Sequence, residues 1–225
     1  RKGEVLGLGG VLGSGRTEIA RALFGTDELT AGRITLKGKA VNIRREIDAI
    51  RAGIALVPEN RKYDGLFFNF RAAGNITAAS LAGLSRFGIL NLKAEQDATQ
   101  DLIRDLEISS QAEEKTVNFL SGGNQQKIVI ARWLFSDSEI LILAEPRHGI
   151  DIGAKIAVYK LMNKLPRDGK SIILISSAHD ALLAMSDLIA IVQHSTITRI
   201  TNASELTQAH LVHASDDVSH EKPQD

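Results

Sequence analysis

Gly10-Val-Leu-Gly-Ser-Gly-Arg-Thr17 lies between a short apolar run, Val5-Leu-Gly-Leu8, and Thr17-Glu-Ile-Ala-Arg-Ala-Leu-Phe24, whose apolar residues recur at helical spacing. A strand that turns through three glycines and enters a helix is a narrow choice of local structure. Residues without a Cβ let successive backbone N–H groups converge on an anion, and the helix start adds its positive dipole end. The segment fits the phosphate-loop pattern G-x-x-x-x-G-K-[ST] except for Arg16 in place of lysine. Arg16 keeps the charge on a bulkier planar fork, and Thr17 offers a hydroxyl to Mg²⁺. Taken alone, a glycine-rich turn joining strand to helix explains the segment equally well.

The alternation continues down the 225 residues. Arg33-Ile-Thr-Leu-Lys37 reads as a half-exposed strand before the turn signal Gly38, and Ile54-Ala-Leu-Val57 as an apolar strand stopped by Pro58. From about Phe68 to Leu120 helical signals take over, with Leu102, Ile103 and Leu106 on one face. Gln125 to Phe135 then reads as a helix and Glu139-Ile-Leu-Ile-Leu-Ala144 as a buried strand. Val158, Leu161, Met162 and Leu165 form a helical stripe ended by Pro166 and Gly169. Ser171-Ile-Ile-Leu-Ile175 and Leu188-Ile-Ala-Ile-Val192 are two more buried strands. Such alternation predicts an α/β fold with a mainly parallel sheet covered on both faces, binding ligands beyond the carboxyl ends of its strands. The expected organisation is one core with an inserted helical subdomain: 1–67, 68–120 and 121–213, followed by a polar tail over 214–225 that is expected to fray. At roughly 150 residues per domain, two independent domains would be cramped.

Lys+Arg and Asp+Glu both total 27, so no global field favours nucleic acid or anionic lipid. The absence of cysteine excludes disulfides, thiolate nucleophiles and cysteine zinc sites, and the six histidines are too scattered to suggest a metal centre. No apolar run approaches the ~18–20 residues that cross a bilayer. Arg1-Lys2 faintly imitates a signal peptide, but Glu4 and the glycines that follow make a poor hydrophobic segment. The runs Arg44-Arg45-Glu46 and Glu113-Glu114-Lys115 read as solvated faces.

Two further segments carry chemistry. In Leu120-Ser-Gly-Gly-Asn-Gln-Gln-Lys127, small residues open a helix and leave its first N–H groups uncovered for an anion, although an ordinary N-cap with a hinge is the commoner meaning. Ile140 to Pro146 delivers Glu145 at a strand's carboxyl end, where a carboxylate can orient an attacking water or merely sit in solvent. A dinucleotide fold is disfavoured because Gly10, Gly13 and Gly15 have the wrong spacing for G-x-G-x-x-G. A soluble phosphate-loop kinase or GTPase leaves the downstream Ser-Gly-Gly-Asn-Gln-Gln unexplained.

The order of Gly10–Thr17, Glu59 after a strand, Leu120-Ser-Gly-Gly-Asn-Gln-Gln, Ile140–Glu145, Gly149-Ile-Asp151 and Ser176-Ser177 resembles the ATP-binding cassette of ABC transporters. More narrowly, Arg16-Thr17-Glu18, Pro58-Glu-Asn-Arg-Lys62 with Asp64-Gly-Leu66, Gly122-Gly-Asn-Gln-Gln-Lys127 and Gly149-Ile-Asp-Ile-Gly-Ala-Lys155 are similar to the second cassette of bacterial ribose-, xylose- or galactose-type importers. The resemblance covers Gly3 to about Val192. It implies a phosphate-loop NTPase core, ATP and Mg²⁺ as ligands, and an ATPase coupled to sugar import. Gly10, Val11, Leu12, Gly13, Ser14, Gly15, Arg16, Thr17 and Glu18 would hold the nucleotide, Thr17 and Glu59 would sit near the metal, and Glu145 and Ser177 would act in catalysis. Ser121, Gly122 and Gly123 would complete the site of an opposite cassette, and Asp151 would lie in the loop crossing that interface. Further implied partners are membrane permease subunits, touched by the segment from Glu59 to about Ile76, and indirectly an extracytoplasmic sugar-binding protein. The place is the cytoplasmic face of the inner membrane, and the chain is expected to be the carboxyl-terminal half of a two-cassette protein.

Four departures from the family pattern bear on mechanism. Ala144 stands where the family has Asp before Glu, Ser177 where competent cassettes carry His, Glu59 where Gln is usual, and Arg147-His148 where a Thr-Arg pair is common. A carboxylate lost beside a hard cation weakens metal retention, although Glu59 partly compensates. The expectation is a half that binds nucleotide and hydrolyses it poorly; the alternative is a silent dimerisation module that supplies Ser121–Gly123 to a partner. His179 is expected to be an ordinary polar histidine.

Overall fold

Apolar runs such as Ile140–Ala144 are stable as strands only where both faces are covered, and five such runs lie side by side in parallel. The structure, a computed structural model, describes residues 1–11 and 13–207. Its strands are β1 (Val5–Gly9), β2 (Ile34–Leu36), β3 (Lys39–Val41), β4 (Ile54–Val57), β5 (Ser85–Arg86), β6 (Ile89–Leu90), β7 (Ile140–Ala144), β8 (Ser171–Ile175), β9 (Leu188–Gln193) and β10 (Thr196–Asn202). Its α-helices are α1 (Arg16–Phe24), α2 (Glu46–Arg51), α3 (Ala72–Thr77), α4 (Leu92–Asp105), α5 (Gln111–Glu114), α6 (Gly122–Phe135), α7 (Ile152–Arg167) and α8 (His179–Met185).

The main sheet runs β10-β9-β1-β8-β7-β4. The first strand is therefore central: Val5 pairs with Ile172 on one side and Leu6 with Leu188 on the other. Sequence neighbours diverge to either side of β1, and that reversal of strand order opens a crevice at the carboxyl ends. β7 shows why the core is dry there, since Leu141, Ile142 and Leu143 are fully buried, each worth about 1.5–3 kcal/mol of burial. Close approach also uses Gly7, where a Cβ would lie 2.5 Å from Ser186 Oγ; its absence lets α8 rest on β1. Phe24 of α1 meets Trp133 of α6 edge to face at 5.6 Å. Residues 68–120 hold α3, α4, α5 and the small β5–β6 hairpin.

The α/β fold with a mainly parallel sheet follows the sequence expectation, with three local differences. α7 passes through Pro166 to Arg167 instead of ending before it. Pro166 forgoes the bond to the carbonyl four residues back, a loss confined to the last turn of the helix, and the chain then closes through Gly169, whose φ of +81° lets its N–H reach Pro166 O at 2.9 Å. The run at Arg44–Glu46 is exposed, as expected, and in addition leads into α2, which the sequence reading does not foresee, with the Asp48 carboxylate accepting the N–H groups of Arg44 and Arg45 at 3.1 Å. The strand β10 closes the sheet antiparallel to β9, an exposed edge bulged between Ile197 and Arg199. The polar tail expected over 214–225 lies outside the described residues.

Candidate functional site

The loop after β1 is held by two glycines that no other residue could replace. Gly10 has a φ of +154°, and a Cβ there would lie 2.3 Å from Val192 O and 2.7 Å from Ser14 Oγ. Gly15, at φ +101°, caps α1 without a side chain, and its Cβ would lie 2.8 Å from the Cα of Ser195. The loop is thus pressed onto the β9–β10 turn, whose Ser195 N–H donates to Ser14 O at 2.8 Å. Ser14 is 3% exposed and its hydroxyl has no hydrogen-bond partner among the described residues, a condition that costs about 1–3 kcal/mol. Val11, Gly13 and Ser14 complete the bend, with Ser14 N–H donating to Val11 O at 3.1 Å. Thr17 and Glu18 stand exposed on the first turn of α1, and Leu12 lies outside the described residues.

Arg16 does not reach outward. It is 6% exposed, and its Nη1 donates to Ser176 O at 2.7 Å while Nη2 faces Val11 O at 3.4 Å. Burial lowers its pKa below the ordinary arginine value, against the opposing pull of the Glu145 and Glu59 carboxylates. One cation and two carboxylates from the ends of different strands therefore share a field. Glu145, one residue past β7, takes the left-handed conformation at φ +43°, which is uncommon outside glycine. Its N–H donates to Ile175 O at 2.8 Å. Its carboxylate accepts the Ser176 hydroxyl at 3.3 Å and the Ser177 backbone N–H. Glu145 and Ser177 are thus brought into direct contact, and His179 begins α8.

A cleft of about 550 Å³ opens beside the loop, and Thr17, Glu59, Ala144 and His148 all line it. A hydroxyl and a carboxylate lining one cleft are hard oxygen donors suited to Mg²⁺; among the described residues no cluster of three or more His, Cys, Asp or Glu could hold a metal by protein groups alone. Ala144 is 5% exposed and presents only a methyl group there.

Ser121, Gly122 and Gly123 stand apart, none of them lining that cleft. Ser121 caps α6 by accepting the Asn124 N–H at 3.4 Å and its side-chain amide at 3.0 Å. Asp151 caps α7 through the Ala154 N–H at 2.9 Å. Gly123 lets α6 and α7 touch, since a Cβ there would meet that of Ala154 at 2.4 Å.

Several residues of this region were not singled out as site residues by sequence reasoning. Arg147 donates to the Tyr159 hydroxyl, lies 5.5 Å over that ring and pairs with Asp180 at 3.3 Å, which gives the unexplained Arg147 a structural role. His194 and Ser195, both at positive φ, form the turn that presses on the loop. Trp133 had no local signal, and while Ser14 was placed in the loop and Arg61 in a quoted motif, the burial of either side chain had none. Only the two adjacent left-handed residues, at a turn with no glycine, resist detection for a plain reason: they belong to a hairpin whose second strand is mostly exposed.

A family described as ABC transporter matches residues 1–148. The ribose import ATP-binding protein RbsA of Oceanobacillus iheyensis is 44% identical over 208 residues, covering 92% of this chain and 42% of that protein. The chain spans less than half the length of this curated relative. A nucleotide-free ATP-binding cassette from an ABC transporter superposes with a TM-score of 0.80 at 16% identity, over 98% of this chain and 88% of that one. A dimeric post-hydrolysis cassette bound to ADP and Pi gives 0.75 at 19% identity, over 90% and 87%. At these identities the superpositions establish the cassette fold, and among the described residues no helix is long and apolar enough to cross a membrane. Matched over two thirds of its length, from the glycine loop past Glu145, the chain belongs to the ABC transporter family.

Proposed function

We propose that this chain is the nucleotide-binding domain of an ABC-type sugar importer, holding Mg-ATP on Gly10–Thr17 and pairing head to tail with a second cassette to drive transport. The observation that carries the reading is the Ser14 hydroxyl, buried and without a partner among the described residues, inside a glycine bend that opens α1. A phosphate oxygen is the partner such a hydroxyl and such a helix start are suited to. Thr17 and Glu59, sharing one cleft, are the groups that would hold Mg²⁺. The bound ion would neutralise phosphate charge. The sugar class rests on the name of the ribose import relative.

In this reading residues 68–120 are the helical signature subdomain set into the core formed by 1–67 and 121–213. Ser121–Gly123, which do not line the chain's own cleft, serve the partner's nucleotide. The partners are a second cassette, permease subunits and, indirectly, an extracytoplasmic sugar-binding protein, at the cytoplasmic face of the membrane; nucleic acid is not among them, as the balanced charge of 27 against 27 supports. Hydrolysis at the chain's own site is weak. Ala144 offers the metal no carboxylate, and Glu145 is engaged by Ser176 and Ser177 instead of being free to polarise water. A second reading, a silent dimerisation module, is favoured by the same engagement of Glu145.

Thermal melting separates the two. Mg-ATP binding raises the melting temperature with ligand concentration, by about 2.7 kcal/mol of stability at a hundred times Kd, whereas the silent module melts unchanged. Turnover in a dimer where only this site can react is expected to fall well below that of the partner site; equal turnover refutes weak hydrolysis.

A further inference from the structure

Arg61, in the single π-turn Arg61–Gly65 after β4, is 7% exposed and makes no ion pair among the described residues. Burial alone lowers its pKa below the ordinary arginine value. Its hydrogen bonds go to neutral oxygens on two other elements. Nη1 donates to His148 O at 2.8 Å and Nη2 to Gly149 O at 2.9 Å, both in the loop after β7, and Nε faces Gln125 Oε1 of α6 at 3.4 Å. Two glycines leave the room it occupies. A Cβ on Gly122 would lie 2.7 Å from Nη2 and 3.0 Å from Gly149 O, and one on Gly149, at φ +66°, 3.4 Å from Nη1.

A buried cation without a carboxylate is a poor way to fill space, because an apolar side chain of similar volume does so without the desolvation penalty. What the guanidinium adds is span. Its planar fork holds two successive carbonyls at one end and reaches α6 from the other, which a single ammonium cannot do. Gln125 continues the chain of contacts, donating to Val117 O at 3.0 Å and Leu120 O at 3.2 Å just before the glycine start of α6.

We propose that Arg61 is a positioning residue that clamps the loop His148–Asp151 to the start of α6, so that the segment after β4, that loop and Ser121–Gly123 move as one body. The proposal rests on the nucleotide reading above, in which the loop and the α6 start are the parts turned toward the opposite cassette. Glu59, on the same short segment, lines the metal cleft. A displacement there is therefore carried by Arg61 to the surface offered to the partner's nucleotide.

Amide hydrogen exchange of the full chain tests the clamp, comparing wild type with Arg61→Lys and Arg61→Ala. Amides at 149–151 and at 122–125 are expected to exchange about tenfold faster or more in both variants. Exchange in β1 and α1 stays unchanged, and Mg-ATP still raises melting as it does in wild type. Acceleration confined to 59–65, acceleration spread evenly over the chain, or full rescue by lysine each overturns the proposal. Should the variants not fold, the wild-type chain answers alone. Its arginine side-chain ¹⁵N spectrum is expected to resolve separate Nη signals for Arg61, and a single averaged signal overturns the clamp. Failure of the nucleotide reading is told apart by the wild-type melting curve with Mg-ATP, which does not involve Arg61.

Discussion

Ser14 and Ala144 present opposite cases, one a polar group without a partner among the described residues and the other an apolar group in a cleft that polar side chains also line. The Ser14 hydroxyl is buried and has no partner among the described residues, so Ser14→Ala removes a desolvated group along with its oxygen. The variant is expected to melt at or slightly above wild type without ligand and to lose most of the Mg-ATP shift; a full shift would show that the hydroxyl holds no phosphate. Ala144 is the converse, a methyl group in the cleft that Thr17 and Glu59 also line. Ala144→Asp puts a second carboxylate into the cleft that Glu59 lines, and is expected to destabilise the chain by about 1–3 kcal/mol in a chelator. Mg²⁺ should restore the loss and raise ATP turnover about tenfold or more. Melting with and without the metal, followed by a turnover assay, reads both effects. Thr17, Glu59 and Glu145 are legible in the sequence because each stands one step from a recognisable local pattern. Ser14's missing partner and Arg61's three acceptors are not, since burial and contact across 64 to 88 residues leave no local trace.

At the scale of elements, propensity and packing disagree about glycine at the start of α6. A glycine inside a helix costs up to about 1 kcal/mol relative to alanine, so Gly123→Ala gains on that account. The added Cβ would nonetheless stand 2.4 Å from Ala154 Cβ on α7. Overpacking of this kind costs about 1–3 kcal/mol, and the expected net result is a lower melting temperature. Ala154→Gly in the same chain should recover most of the loss, because the two side chains compete for one space; equal melting of single and double variants would show that α7 simply shifts. The same competition explains which elements the sequence discloses. β1, β4, β7, β8 and β9 are uninterrupted apolar runs, buried on both faces, and their pattern is their environment. α2 and β10 are mostly exposed, so charge and alternation there say little, and only Asp48 capping α2 and the ladder to β9 decide them.

Across the whole molecule the ends of the sheet divide the labour. Gly10, Glu59, Glu145, Ser176 and Ser195 each follow the carboxyl end of β1, β4, β7, β8 or β9, so the chemistry gathers on one side because the strands are parallel. That gathering was readable from alternation alone, while the pairwise geometry within it came from contacts between distant strands. Away from it, Lys37 in the β2–β3 turn reaches Glu139 just before β7 at 2.7 Å, tying the small hairpin to the base of the sheet. Both side chains are substantially exposed, so salt and solvent screen the pair. The hydrogen bond from Lys37, reinforced by its charge, holds the Glu139 carboxyl below its ordinary value near 4.5. A depressed carboxylate contributes stability that is present above the unfolded value and is lost as pH falls through the folded one. Lys37→Met is therefore expected to lower the melting temperature slightly near pH 7, less so in high salt, and progressively less as pH falls below the ordinary carboxyl value and through the depressed folded one. Its Mg-ATP shift should equal that of wild type, because the pair lies at the opposite end of β7 from Ala144. A variant whose deficit persists unchanged in acid would mean that the lysine stem supports the hairpin by packing, and one that also lost the nucleotide shift would mean that the two ends of the sheet are coupled.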